Sequence, residues 1–223
     1  MQKTTSKSKN GNGHGKTTVV MPMGLAQPEE KKTDIRIPPL HLGEVTITLT
    51  GDTPLLMCRF DEKVRRMIED KQQGKAKQKK APRDPQADFE ASIYRCPVTN
   101  KVGFPATGLK NALVRAGTYA DEKMTYLKGV CHIVGDLDGG RLCSIIGTPR
   151  MRADNVRPQP GTTTVAYRAE FAPWSMIATI RFNANAVTAE QLINLVNIAG
   201  FSTGIGSWRP ERNGTMGMFH VGE

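Results

Sequence analysis

No stretch of this sequence approaches the roughly 20 consecutive apolar residues that a bilayer-spanning helix requires. The opening MQKTTSKSKNGNGHGK also lacks the apolar segment of a secretory signal. A cytoplasmic location is therefore expected, with no membrane partner. Cysteine is scarce: Cys58, Cys96, Cys131 and Cys143 show none of the close paired spacings that build a zinc site. They are expected as four reduced thiols, small apolar side chains beside strands rather than disulfides or ligands. No metal and no other cofactor is expected.

The constellations of catalysis are missing too. His14, His41, His132 and His220 are scattered through an arm, a linker and two strand-like segments, without an adjacent nucleophile pattern. Glu170 and Asp136 lack the paired-carboxylate context that metal or glycosidic chemistry needs. The run Gly11-Asn12-Gly13-His14-Gly15-Lys16-Thr17 is one residue short of a phosphate-binding loop, because position 10 is Asn, and no strand precedes it. The chain is therefore expected not to be an enzyme.

What the sequence has in excess is positive charge, and it is concentrated. Residues 1–33 hold six Lys/Arg against two Glu, and residues 59–83 hold ten Lys/Arg against four Asp/Glu. These two segments account for the whole formal net charge of +10, which leaves the remainder neutral. A neutral body with two basic segments suits a polyanion, since each phosphate contact releases counterions and adds sequence-independent affinity. The bland alternative is solubility.

Apolar residues make up 38% of the 223, enough for a core, but 22 Gly and 14 Pro mean that much of the chain lies outside it. Residues 1–40 read as a disordered basic arm and 41–223 as one α+β domain. Glu44-Val45-Thr46-Ile47-Thr48-Leu49-Thr50 alternates with the period of a half-buried strand. Residues 60–90 read as a basic insertion, a short helix with Val64, Met67 and Ile68 on one face followed by a mobile loop. Pro105 near the start and apolar residues at 109, 112, 113 and 116 predict a helix closed by Gly117. Strands follow at 130–134 and 142–146, an Arg-rich polar loop at 149–164, and a long strand region at 165–182. Thr188-Ala189-Glu190-Gln191 has the form of a capping box and opens a helix ending at Gly200. A final strand is expected at 216–221. The order is β-α-β-β-α-β, the ferredoxin-like order shared with RNA-recognition modules, whose sheet has one face free of helices.

The most distinctive stretch is the glycine-rich segment 200–217. It follows a helix and precedes a strand, which excludes the dinucleotide fingerprint. Its glycines permit close backbone approach to phosphate, Arg209 and Arg212 add charge, and Trp208 offers a stacking face. A purely structural turn with Trp208 in the core is the competing reading. Arg150, Arg152 and Arg157 cluster in one loop and Arg168 follows on the next strand. Their planar donor forks suit phosphate, against the alternative of pairing with Asp154 and Glu170.

The Thr53-Pro54-Leu55-Leu56-Met57 segment, the Gly103-Phe104-Pro105-Ala106 lead into a helix carrying Lys110, and the late glycine loop together resemble the RAMP superfamily. These are the ferredoxin-like proteins of CRISPR effector complexes, especially their backbone subunits. The chain also looks like proteins of tailed bacteriophages. The resemblance implies a nucleic-acid-binding role for the glycine loop, carried over to Gly204, Gly206, Arg209 and Gly214. It further implies head-to-tail stacking along a single strand, with residues 60–90 as a thumb reaching a neighbour. Trp208-Arg209-Pro210 departs from the family loop, and the histidine of the RNA-cleaving relatives has no counterpart. The expected function is non-catalytic binding of single-stranded RNA or DNA, as a homo-oligomer or filament. A metal-independent endoribonuclease and a phage structural protein with DNA-binding arms are the alternatives.

Overall fold

The alternation of the first strand puts one face into the core. β1 (Leu42–Gly51) buries Ile47 and Leu49 and turns Thr46 and Thr48 outward. The structure, a computed structural model, describes residues 37–60, 62–75, 82–159 and 161–222. The basic arm, apart from residues 37–40, lies outside the described residues, as do residues 76–81 at the centre of the expected basic loop.

β1 is flanked on one side by β8 (Ser175–Asn183), antiparallel from Leu42↔Asn183 to Thr50↔Ser175, and on the other by β9 (Phe219–Val221). The far side of β8 is shared between β4 (Cys131–Val134) and β5 (Leu142–Ile146), and β5 pairs in turn with β3 (Gly103–Pro105). Helix α3 (Ala106–Ala116) connects β1 to the β4/β5 position, and α5 (Ala189–Ile198) connects β8 to β9. Core strand order β9-β1-β8-β4/β5 with two crossing helices is the ferredoxin-like β-α-β-β-α-β arrangement.

Both helices lie where their apolar spacing directs them. Leu109, Ala112, Leu113 and Ala116 of α3 are buried together with Leu192, Leu195 and Val196 of α5 against Ile47, Leu49, Met176, Ala178 and Ile180 of the sheet. The capping box at α5 is complete: Thr188 Oγ1 accepts from Gln191 N at 3.2 Å, and Gln191 Oε1 accepts from Thr188 N at 2.9 Å. The opposite face, with Glu44, Thr46, Thr48, Thr179, Arg181 and His220, follows from the same register and is free of packed core residues.

Several boundaries differ from the sequence expectation. Gly200 does not end the second helix. Its backbone is not left-handed, and a Cβ there would meet Phe219 O at 1.7 Å, so glycine serves to let β9 pass. The helix continues through a π-helical turn (Ala199–Thr203) and stops at Gly204, whose φ of +65° and ψ of 178° lie in a region that essentially only glycine adopts. β9 starts at Phe219 rather than 216, because 204–218 folds over the sheet end as a loop.

The largest correction concerns 149–164, expected as an Arg-rich loop. It is a strand, β6 (Pro149–Gln159), paired with β7 (Thr162–Phe171) in a long hairpin from Pro149↔Phe171 outward. Its alternation is carried by charged rather than apolar residues, so period two was hidden from a hydrophobicity reading. The expected single strand at 165–182 is accordingly two, β7 and β8, separated by residues 172–174, with Trp174 buried and its Nε1 donating to Thr53 O at 2.8 Å. A short β2 (Leu55–Met57) adds to β7 and completes a second, three-stranded sheet.

The described residues of 60–91 form two helices. α1 (Glu62–Gln72) carries an Arg65–Glu69 pair at 2.9 Å and leaves Met67 and Ile68 exposed. α2 (Pro85–Ala91) is capped by Asp84, whose carboxylate accepts from Gln86 N and Ala87 N, and buries Phe89. Between β3 and β5 a further helix, α4 (Met124–Val130), precedes β4. No helix of the described residues is long and apolar enough to cross a membrane.

Candidate nucleic-acid interface

The two segments singled out in the sequence, the lead into α3 and the glycine loop, face each other across a cleft of about 450 Å³. One wall is a stripe of α3 at helical spacing, Thr107, Gly108, Asn111 and Arg115. The other is the loop, Thr203 to Ser207 with Arg209 and Glu211; Cys58 and Tyr94 line it as well. Burial pushes the Tyr94 phenol above its ordinary pKa, with Cys58 adding to the shift and Arg59 opposing it, so the phenol is a neutral hydrogen-bonding group.

The loop is rigid, since its backbone is tied to β2 and to itself. Ser207 N donates to Leu56 O at 2.8 Å, Gly217 N to Pro54 O at 2.9 Å, Ile205 N to Gly217 O at 2.9 Å and Met216 N to Trp208 O at 2.9 Å. The Thr53-to-Met57 segment that carried part of the family resemblance is thus the floor of this loop. Gly204 N donates to Ala199 O and Gly214 N to Arg209 O, so these two amides, expected to face phosphate, are engaged internally. A Cβ on Gly214 would meet Trp208 O at 1.7 Å, so that glycine is explained by packing. The amide of Gly206, which lines the cleft at φ +80°, donates to no acceptor among the described residues.

The arginines divide into engaged and unengaged. Arg209 donates through Nε to Glu211 at 2.8 Å and through Nη1 to Gly206 O at 3.1 Å, which makes it a brace of the loop. Arg152 pairs with Asp154 at 2.8 Å and Glu170 at 2.7 Å, the alternative weighed from the sequence, and these carboxylates raise its already high pKa. Arg168 stands opposite Arg152 on the hairpin, with its Nη1 buried and without a partner. Arg150, Arg157 and Arg212 are exposed and have no ion-pair partner among the described residues. Lys110 does not line the cleft; its amine donates to Lys128 O and meets His132 Nδ1, both at 2.9 Å.

Trp208 joins the hairpin to the loop. It is 41% exposed, not a core residue, and the Arg152 guanidinium lies 5.6 Å from its ring centroid. Alternation along β6 and β7 puts Arg150, Arg152 and Arg168 on the hairpin face that meets this ring. Trp208 thus meets the hairpin on one side and is flanked in the chain by Ser207 and Arg209, which line the cleft. Sequence reading missed Asn111, Arg115, Thr203 and Glu211, although Thr107, Asn111 and Arg115 at i, i+4 and i+8 are a polar stripe legible in the sequence.

The four cysteines are free thiols, three of them buried. Among the described residues no three His, Cys, Asp or Glu side chains are grouped to hold a metal ion. The Thr99 hydroxyl, then the amides of Thr99 and Val98, stabilise the Cys96 thiolate and lower its pKa to about 7, whereas burial pushes Cys143 up to about 12 and also raises Cys131. A pH titration of thiolate ultraviolet absorbance in the folded protein is expected to show a step near pH 7 that Cys96→Ser removes. A step that survives the substitution would refute the assignment. Since the folded value lies below the ordinary 9.0, the associated stability is complete above pH 9 and is lost as pH falls through about 7.

No protein-family model matches the chain, and no curated protein matches it. Its fold is similar to a chain of the Type III-B Cmr-beta solved by cryo-EM bound to cognate target RNA, at 10% identity and a TM-score of 0.48 over 82% of this chain. The match covers 59% of that longer chain. It is also similar to Cmr6 from Pyrococcus furiosus, at 11% identity and a TM-score of 0.41, over 82% of this chain and 100% of that one.

Proposed function

We propose that this chain binds single-stranded nucleic acid, RNA or DNA, without cleaving it, along the surface formed by the α3 cleft, Trp208 and the hairpin arginines. The observation that carries this reading is Trp208. A tryptophan at φ +56° occupies left-handed backbone that costs a non-glycine residue about 1 kcal/mol, and its ring is half exposed beside a cleft. The strained position presents a large aromatic face next to cations, the pairing that holds unstacked bases by stacking and backbone by charge. Arg150 and Arg212, and Arg157 at the turn end of the hairpin on the other parity of β6, are without carboxylate partners among the described residues and supply phosphate contacts. The sheet face of an RNA-recognition module is a poorer choice, since its outward positions on β1 and β8 carry Thr, Ser, Ile, Glu and Arg rather than aromatics.

Copies arranged head to tail along the strand are part of the proposal. The exposed Phe60, Met67 and Ile68 at and on α1 favour a protein contact there.

The test is a shift assay of the full chain with single- and double-stranded RNA and DNA across several salt concentrations. Single strands are expected to bind most tightly and to remain intact. Replacing Arg150, Arg157 and Arg212 together by alanine should reduce the slope of log affinity against log salt by about 2 units, at roughly 0.7 per phosphate contact. Equal affinity for double strands, strand cleavage that persists after further purification, or an unchanged slope in the triple variant would each count against the proposal.

A further inference from the structure

Glu211 is an anion inside the proposed strand-binding cleft. Its carboxylate accepts from two guanidinium groups at once, Arg115 Nη1 at 2.5 Å and Arg209 Nη2 at 2.6 Å, and its side chain is only 14% exposed. Arg209 is braced independently by Gly206 O, whereas Arg115 is 54% exposed and has Glu211 as its ion-pair partner. An acidic residue in a phosphate-binding cleft opposes the function unless it can leave.

The remaining unsatisfied groups indicate what replaces it. The Thr203 hydroxyl is buried, with 1% of the residue exposed, lines the cleft and has no hydrogen-bond partner. α3 has no side-chain cap and no acidic residue in its first turn. Ala106 N donates to Arg141 O, and the Thr107 and Gly108 amides, both on cleft-lining residues, stand in the first turn of α3, ahead of the helix's own i to i−4 bonds. The amide of Gly206 donates to no acceptor among the described residues. The Thr203 hydroxyl, the Gly206 amide and the first-turn amides of α3 can all donate into the cleft, and the helix terminus adds a positive partial charge. Such a lining calls for an acceptor-rich anion, and phosphate supplies acceptors on several sides and suits the planar fork of Arg115.

We infer that the cleft contains a phosphate subsite which the free protein fills with its own Glu211 carboxylate, and that a phosphate of the bound strand exchanges with Glu211 on Arg115. Glu211 can release Arg115 by rotation of its side chain alone, the turn Pro210–Arg212 that carries it being held by Arg212 N donating to Arg209 O. The exchange lowers affinity but confers selectivity: a ligand must offer an anion at this point to offset the lost carboxylate pair. The inference rests on the reading of the cleft as part of the strand-binding surface.

The experiment compares the full chain with its Glu211→Gln and Arg115→Ala variants in two titrations, with melting temperature as the check of folding. Inorganic phosphate is the first ligand and a labelled single-stranded oligonucleotide the second. Glu211→Gln keeps the shape and removes the competing charge, so it should bind both ligands roughly three- to tenfold more tightly. The salt slope for the strand should steepen by about 0.7. Arg115→Ala should weaken both, and in the Glu211→Gln background it should cancel the gain. Unchanged or weaker phosphate binding by a folded Glu211→Gln protein overturns the exchange. Because inorganic phosphate reads the subsite directly, it decides this inference even if no strand binds any of the proteins, an outcome that would instead overturn the function proposed above.

Discussion

Gly217→Ala is expected to destabilise the protein by about 3–5 kcal/mol, the range reserved for substitutions that force backbone to move. Gly217 has φ +68°, and a Cβ there would lie 1.8 Å from Ile205 O. That carbonyl cannot retreat freely, because Ile205 and Gly217 are joined by Ile205 N donating to Gly217 O, and Gly217 N is tied to Pro54 O in the segment under the loop. Alanine thus breaks a three-way backbone junction between the glycine loop, β2 and the end of β1. For a unit of this size 1 kcal/mol moves the melting temperature by roughly 2–4 °C, so a fall on the order of 10 °C or more should be seen. Gly139→Ala is the control: φ is +62° but nothing lies within 4 Å of the added Cβ, so only the conformational cost of about 1 kcal/mol applies. If the two variants melt together, the close approach does not constrain the loop.

The same junction explains what was readable in the sequence. β1, α3 and α5 were legible because each buries a stripe whose spacing is the spacing of its own backbone, 45, 47 and 49 for the strand and 109, 112, 113 and 116 for the helix. Three such elements, with the further strands expected at 130–134, 142–146, 165–182 and 216–221, were enough to give the ferredoxin-like order. In the hairpin at 149–171 only residues 165–171 were legible as strand, because β6 alternates through Arg150, Arg152 and Asp154, polar on the face that hydrophobicity would have to mark. The hairpin's stability comes from cross-strand charge pairing and from β2 at its edge, neither of which is local in sequence.

The site was half legible for a related reason. Glycines at 204, 206, 214 and 217 advertised an unusual loop, but composition does not say whether glycine is there to admit a ligand or the chain's own backbone. Contacts at all four answer for the chain itself, an added Cβ at 206 meeting Leu56 O at 2.6 Å. Arg209 and Arg152 looked like phosphate ligands in isolation, yet each has a carboxylate partner two residues away, Glu211 and Asp154. An i, i+2 pairing of this kind is reachable from a strand or an extended turn and not from a helix, so recognising it required the backbone conformation first. Conversely Arg115, read only as a helix residue, turns out to face the cleft because it stands two turns after Thr107 and Gly108.

Trp208→Gly should separate binding from folding more sharply than any other single change. Glycine adopts φ +56° without the cost that tryptophan bears, which offsets the loss of a ring that is 41% exposed and of its contact with Arg152, itself worth about 0.5–1 kcal/mol at a surface. The melting temperature is therefore expected to change by only a few degrees. Strand affinity is expected to fall roughly five- to hundredfold, since stacking one base on an aromatic contributes about 1–3 kcal/mol. Trp208→Phe restores a stacking face at the same backbone cost and should recover most of the affinity, whereas loss of a general packing role would not be repaired by so much smaller a ring. Arg152 provides the second axis of the test. It is held by Asp154 and Glu170 whether or not the ring is present, so Arg152→Ala should weaken binding less than Trp208→Gly and should destabilise more, because it leaves the buried carboxylate of Asp154 without its cation. Strand binding that survives Trp208→Gly in a protein of unchanged stability would remove the tryptophan from the interface and leave the α3 cleft and the exposed hairpin arginines to hold the strand by charge alone.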